Sequence, residues 1–299
     1  MFRGRGGAMG FSAKGARVLV TGASSGIGAG LAERLAAEGA TVGICARRED
    51  RLAEVLERCR AHAPGSQMWT CDLADLGAVD RLAADVVETF GGIDLLVNNA
   101  GMPKRKHVTA LDPATVDRVM HLNYTSPIRL TLALLPQMLE RGSGRIVNVS
   151  SVAATLSSPG EAAYDASKAA LAVFSEAMAI DLWDLGIRVL TVYPGVVDTE
   201  LFTIPDNDPL PPGIDAITVD DLVDGVMTGL ADDLLEVYVP AWFKDVVKHK
   251  ANDTDGFIQG SVAYVRDNWT KTKAEEAQAP GTDDGPAGGR RSRPSKKGA

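Results

Sequence analysis

The chain has 299 residues, 45% of them hydrophobic, and a formal net charge of −8. That length allows one large domain or two small ones with a substantial core, and the acidic balance supplies no basic face for nucleic acid. No stretch reaches the roughly 18 uninterrupted apolar residues that a spanning helix needs.

The basic, glycine-rich start from Met1 to Gly7 leads into no hydrophobic stretch, so it does not read as a secretory signal, and Met9 is an alternative initiator. The first strand is expected at 17–21, Arg17 to Thr21. It runs into Gly22-Ala23-Ser24-Ser25-Gly26-Ile27-Gly28 and then into a helical pattern through Leu31 and Leu35 to Glu38, with Gly39 as the stop. Strand, glycine-rich turn and helix in that order form an anion site. The glycines let the backbone approach a pyrophosphate, and the helix N-terminus points free N–H groups at it. The spacing is Gly-x-x-x-Gly-x-Gly and not the commoner Gly-x-Gly-x-x-Gly.

Further strands are expected at 41–45, 67–71, 94–98, 145–150, 188–192 and 236–239. Helical patterns lie near 50–62, 75–90, 113–140, 160–185 and 218–230. Asp112-Pro113 reads as an N-cap with Pro at the first helical position. Pro127 is expected to interrupt or bend its helix, because it removes a donor and clashes with the preceding turn. Leu95-Leu96-Val97 and Ile146-Val147 are apolar on both faces, as inside a parallel sheet covered by helices. The expected architecture is α/β, a doubly wound parallel sheet of about seven strands with ligands outside the strands' carboxyl ends. The glycine turn, Asn98, Ser151 and Pro194 all fall at those ends.

The three cysteines (Cys45, Cys59 and Cys71) show no metal or redox spacing, and a reduced cytoplasmic chain accounts for them most simply. The four histidines (His62, His107, His121 and His249) form no i, i+4 pair, so no metal site is expected. Among the five tyrosines only Tyr164 has a lysine four residues on, Lys168. Residues i and i+4 share a helix face. An ammonium one turn away is expected to favour the phenolate and lower a phenol pKa that ordinarily lies near 10. Ser151, at the end of the strand Ile146 to Ser150, places a hydroxyl nearby that can hold a substrate oxygen against the tyrosine.

These segments together resemble the short-chain dehydrogenase/reductase family in its classical form, over about residues 14 to 240, with the motifs in order. The turn Thr21, Gly22, Ser24, Ser25, Gly26, Ile27, Gly28 resembles the family's cofactor turn. Asp72 resembles the residue that contacts the adenine ring. Asn98-Asn99-Ala100-Gly101 is similar to the motif that braces the central strand beside the cofactor. Asn123, Ser151, Tyr164 and Lys168 match the four catalytic positions. Pro194-Gly195, followed by Val197 and Thr199, resembles the turn that holds the nicotinamide carboxamide. Tyr193 departs from the usual Asn or Ser before Pro194, and Ser126-Pro127 follows Asn123 where a Gly-containing pair is frequent.

The resemblance implies an oxidoreductase with a Rossmann fold that moves hydride between a nicotinamide and a ketone or secondary alcohol. Ser151 would hold the carbonyl, Tyr164 would donate or remove the proton, and Lys168 would tune Tyr164 and bind the nicotinamide ribose. Asn123 would hold a water relaying protons towards Lys168. A homodimer or homotetramer on the helices at 113–140 and 160–185 is implied as well. The second strand ends in Ala46-Arg47-Arg48, with Ala46 where a NAD enzyme carries Asp or Glu. Arg47 resembles the 2′-phosphate partner of NADP(H)-dependent members, so NADP(H) is the expected cofactor, with NAD(H) also possible.

The domain plan is a flexible segment at 1–14, the catalytic domain at 15–240, an extension at 241–270 and a disordered tail at 271–299. Leu201, Phe202 and Ile204, with the proline-rich turn Pro205 to Gly213, suggest an apolar lining and a lipophilic substrate. In the extension Trp242, Phe243, Val246 and Val247 form one apolar helical face, expected to pack on the body or on a partner; contact with a membrane surface is the lesser alternative. A catalytically silent dinucleotide-sensing regulator on the same fold is the second functional reading.

Overall fold

A computed structural model describes residues 10–208 and 215–269 of the chain. The tail at 271–299, most of the segment 1–14 and the proline-rich turn beyond residue 208 lie outside the described residues.

Seven strands form a single parallel sheet: β1 (Arg17–Thr21), β2 (Thr41–Ala46), β3 (Gln67–Thr70), β4 (Leu95–Asn98), β5 (Gly144–Val149), β6 (Ile187–Pro194) and β7 (Glu236–Val239). Their order is β3-β2-β1-β4-β5-β6-β7. The chain runs outward from β1 to β3 and returns to β4 on the other side of β1. The switch between β1 and β4 leaves a crevice at the carboxyl ends.

Both faces of the sheet are apolar because alternate residues of each strand feed different cores. In β1, Val18 and Val20 join the core under helices α1 (Gly26–Ala37), α2 (Glu49–Arg60) and α7 (Val219–Ala231). Leu19 between them joins the opposite core, under α3 (Leu76–Phe90), α5 (Ser126–Arg141) and α6 (Ala162–Leu182). Buried Leu31, Leu35 and Leu222 face the first core, and Leu82, Leu134 and Leu182 the second. This is the doubly wound sheet expected from the strand pattern.

The long helix expected at 113–140 is interrupted. Asp112 caps α4 (Pro113–Met120) by accepting from the Thr115 N–H at 2.9 Å. One wide π turn, His121–Thr125, follows before α5 begins at Ser126 with Pro127 in its first turn. The missing donor and the ring of Pro127 make the break cheapest there, and the extra residue of the wide turn absorbs it. Pro136 inside α5 does not end that helix. Beyond β7, α8 (Phe243–Asn252) and α9 (Thr254–Tyr264) lie on the surface, with no fully buried residue in either. Phe243, Val246 and Val247 of the expected apolar face are half-buried, whereas Trp242 is exposed.

Candidate active site

A cavity of about 530 Å³ opens at the carboxyl ends of the strands. Its walls come from the turn after β1, the ends of β2 and β3, the loop after β4, Ser151 after β5, Tyr164 and Lys168 of α6, and the segment Pro194 to Pro205.

The glycine turn is built for close approach. Gly22 has φ +66, and a Cβ there would lie 2.8 Å from Ala100 Cα. On Gly28 a Cβ would meet the Gly22 carbonyl at 2.5 Å. Ser25 at the α1 N-cap makes no side-chain bond to that helix, so the first-turn N–H groups keep their pull on an anion. Thr21 fixes the turn to the neighbouring strand. Its hydroxyl donates to the Val97 carbonyl at 3.2 Å and accepts from the Asn99 and Ala100 N–H groups at 3.0 and 3.1 Å. Thr21 and Gly28 shape the cavity from behind, while Gly22, Ser24, Ser25, Gly26 and Ile27 line it.

Within Asn98-Asn99-Ala100-Gly101 the two asparagines divide the work. Asn98 closes β4 with its side chain turned inward, and its amide donates to Thr131 Oγ1 at 2.9 Å and to Asn148 Oδ1 at 2.8 Å. Asn148 in turn donates to Ser175 Oγ at 2.7 Å, tying β4, β5 and α6 together. Asn98 therefore braces the site without lining it. Asn99, not singled out in the sequence, lines the cavity and donates to the Thr21 carbonyl at 2.9 Å. Asp72 lines the cavity between Cys71 and Leu73, its carboxylate accepting from the Ala74 N–H at 3.0 Å. Gly101, Pro194, Gly195, Val197 and Thr199 line it as well.

The four positions Asn123, Ser151, Tyr164 and Lys168 come together. Ser151 stands in extended backbone after β5, accepts from the Ala153 N–H at 3.1 Å, and lines the cavity together with Tyr164, whose phenol pKa its hydroxyl helps to pull down. Lys168 Nζ donates to the Val149 carbonyl at 2.8 Å and lies 5.8 Å from the Tyr164 ring centroid. The expectation that Lys168 would lower the Tyr164 pKa is not met. Burial pushes the phenol up, Glu161 and Asp165 add to that, and the Ser151 hydroxyl and Arg105 oppose it. Burial also pulls Lys168 down to about 8. With the ammonium committed to Val149, loss of solvation outweighs its field at the phenol. Because Tyr164 as a residue is only half-buried, cleft water moderates the effect.

Asn123 is fully buried in the wide turn before α5. Its Oδ1 accepts from the Met102 N–H at 2.8 Å, and its amide donates to the Met102 carbonyl at 3.0 Å and to Ser167 Oγ at 3.0 Å. Ser167 donates in turn to the Tyr164 carbonyl at 2.7 Å. These bonds make the Asn123 side chain a clamp between the loop after β4 and the helix of Tyr164 and Lys168.

Arg47 is exposed on the cavity wall. The neighbouring Arg48, read in the sequence only as its companion, reaches into the glycine turn, with Nη2 3.0 Å from Ser24 Oγ and 2.8 Å from Ser25 Oγ. Glu200 closes the same cluster. It accepts from Ser25 Oγ at 2.7 Å, from Arg51 Nη1 at 2.5 Å and from Arg48 Nη2, and these donors hold its carboxyl down at about 2. A contact across 152 positions has no local signature in the sequence. Met102, Leu122, Leu201, Ile204 and Pro205 give the far end of the cavity an apolar wall.

The family described as short chain dehydrogenase matches residues 16–208. A fatty acyl-CoA reductase of Acinetobacter baylyi is 37% identical over 190 residues, covering 63% of this chain and 64% of the relative. A fatty acyl-CoA reductase of Mycobacterium tuberculosis is 40% identical over 190 residues, covering 62% of this chain and 65% of the relative. The chain thus spans just under two thirds of the length of these curated relatives. A solved short-chain dehydrogenase of Sphingobium yanoikuyae, in complex with NADPH, superposes with a TM-score of 0.70 at 30% identity, covering 90% of this chain and 99% of that one. Sheet order, cavity and sequence match agree, and the chain belongs to the short-chain dehydrogenase/reductase family.

Proposed function

We propose that the protein is a NADP(H)-dependent oxidoreductase that interconverts a lipophilic carbonyl compound and its alcohol. The observation that carries this is the meeting, around one cavity, of the Ser151 hydroxyl, the Tyr164 phenol, the buried Lys168 ammonium and the glycine turn. The residues present fit a dinucleotide. The turn has no room for a Cβ at Gly22 or Gly28, and it already draws the carboxylate of Glu200 to its serine and arginine donors. Glycine turn and α1 would hold the pyrophosphate, Arg47 and Arg48 the 2′-phosphate, Asp72 the adenine edge, and Pro194 to Thr199 the nicotinamide end. When bound, the nicotinamide supplies or accepts the hydride.

The chain's own residues handle the oxygen and the proton. Ser151 orients the substrate oxygen beside the phenol. Tyr164, whose pKa is raised by burial, is a protonated donor at neutral pH and gives its proton to the developing alkoxide. As that charge forms, Lys168, protonated below about 8, stabilises the phenolate left behind. Asn123 and Ser167 set the backbone of Met102 and Tyr164 at the right separation. The apolar wall of Met102, Leu122, Leu201 and Ile204 supports a lipophilic substrate, in keeping with the two acyl-CoA reductase relatives. Exposed Leu132 and Leu139 on α5, with Val173 and Ile180 on α6, support a homodimer or homotetramer built on those helices. Three buried free thiols accord with a reducing, cytoplasmic location.

Tyr164→Phe should cut carbonyl reduction by roughly 10²–10⁴-fold while NADPH binding, read by calorimetry, stays within about twofold. Residual turnover near the parent level would remove Tyr164 from the mechanism. Tight NADPH binding without turnover on a broad panel of ketones, aldehydes and acyl thioesters would assign the parent protein to a silent dinucleotide sensor. For cofactor choice, kcat/KM with NADPH should exceed that with NADH, and the reverse order would refute the NADP(H) reading.

A further inference from the structure

The cluster around Glu200 has more donors than a loop contact needs. Glu200 opens the turn Glu200–Thr203 that follows β6, far in sequence from the three donors it meets. Ser25 Oγ, Arg48 Nη2 and Arg51 Nη1 converge on its two oxygens, and Arg48 also bonds Ser24. Donors from the glycine turn and from the start of α2 thus meet on one carboxylate, much as they would on the oxygens of a phosphate monoester. Thr199 presses the same segment onto the turn, its Cγ2 lying 3.0 Å from where a Gly26 Cβ would be. The Glu200 side chain is 40% exposed, so a dissolved anion can reach the same donors. Arg47 beside them lines the cavity and makes no hydrogen bond among the described residues.

We infer that Glu200 is a specificity-determining residue, whose carboxylate occupies the donor set that a 2′-phosphorylated dinucleotide would use and so narrows the chain's preference between NADP(H) and NAD(H). This rests on the cofactor reading above. A phosphate arriving at Arg47 and Arg48 meets a fixed negative charge and must share or displace Arg48. A bare ribose 2′-hydroxyl meets no such conflict, because it can donate to the carboxylate. The chain therefore carries the arginines that favour phosphate together with an internal anion that competes with it.

The test is calorimetric titration of adenosine 2′,5′-bisphosphate and of 5′-AMP into the parent protein and Glu200→Gln. The substitution should tighten the bisphosphate by about fivefold, the scale of a partly exposed charge pair, and alter 5′-AMP by less than about twofold. An unchanged or weaker bisphosphate affinity, or equal shifts for both ligands, overturns the inference. The parent protein's own ratio of the two affinities tests the cofactor reading separately, since a preference for 5′-AMP there refutes that reading whatever Glu200 does. If Glu200→Gln does not fold, Glu200→Asp repeats the comparison with the carboxylate drawn back by one methylene. Tightening of the bisphosphate is again required, and its absence overturns the proposal.

Discussion

Lys168→Met gives the sharpest separation of function from stability in this fold. Lys168 is 4% exposed, and burial brings its pKa from 10.5 to about 8. At about 1.36 kcal/mol per unit, holding the ammonium in the folded chain at pH 7 costs about 3 kcal/mol. Methionine keeps the length of the side chain and removes that cost, but it orphans the Val149 carbonyl, which now accepts from Nζ at 2.8 Å. An unsatisfied buried carbonyl costs about 1–3 kcal/mol. The variant should therefore be up to about 2 kcal/mol more stable than the parent at pH 7 while losing its turnover. Between pH 8 and 10.5 the folded parent has released this proton and the unfolded chain still holds it, so the Lys168 contribution to parent stability rises with pH. The cysteines act in the opposite sense. Burial raises all three thiols, so the unfolded chain ionises first and stability falls as pH rises past their ordinary value. That part is common to both proteins and cancels in the difference. Urea unfolding of parent and variant at pH 7 and pH 10 should show the variant's relative stability shrinking by about 2–3 kcal/mol. A difference that stays constant across that range, or a variant destabilised by more than about 2 kcal/mol at pH 7, would refute the account of Lys168 as a desolvated cation.

Gly28→Ala should weaken NADPH by at least about tenfold in calorimetry, since its Cβ would stand 2.5 Å from the Gly22 carbonyl and 2.6 Å from Asn99 Nδ2, forcing the turn open. An unchanged affinity would mean that the turn does not hold the pyrophosphate. Asn148→Ala removes the link between Asn98 and Ser175 in the buried brace and should cost about 2–3 kcal/mol in urea unfolding. The NADPH affinity of any folded fraction should remain close to the parent's, because this network stands behind the cavity and does not line it.

Much of the fold is legible because it rests on local rules. Runs apolar on both faces mark the buried parallel strands β4 and β5, and the half-buried edge strand β7 also falls at its expected place, Glu236–Val239. Pro127 locates the break between α4 and α5, although the residue alone does not say that the break takes the form of a wide turn. The cluster of Ser151, Tyr164 and Lys168 is legible from helix periodicity and strand ends. Its electrostatics are not. The i, i+4 rule reports that two side chains share a face, whereas the pKa depends on how much water the whole fold leaves around them. The same limit separates Asn98 from Asn99. Both stand in one motif, but only the tertiary positions of Thr131 and Asn148 decide which amide turns inward. Glu200 lies beyond local reasoning altogether, because its partners are set by how the segment after β6 returns over the first turn.

The extension after β7 belongs mechanically to the site. Tyr193, unusual before Pro194-Gly195, is buried against Tyr238 of β7, with the rings stacked at 4.5 Å. A Cβ on Gly195 would lie 2.6 Å from Phe243 Cε2, so the first residue of α8 rests directly on the turn that walls one end of the cavity. At the other end of α8, Lys250 Nζ donates to the Thr155 carbonyl at 2.6 Å, just past the turn that Ser151 opens. One short helix thus touches the segments after both β5 and β6, the two that present Ser151 and Pro194-Gly195 to the cavity. The family match ends at residue 208, so this brace is built from residues outside it. Within the matched segment lie the groups that can move a proton and cradle a phosphate. The contacts on the segments that present Ser151 and Pro194-Gly195 come in part from beyond it, and Tyr193 with Tyr238 is the pairing that joins the two.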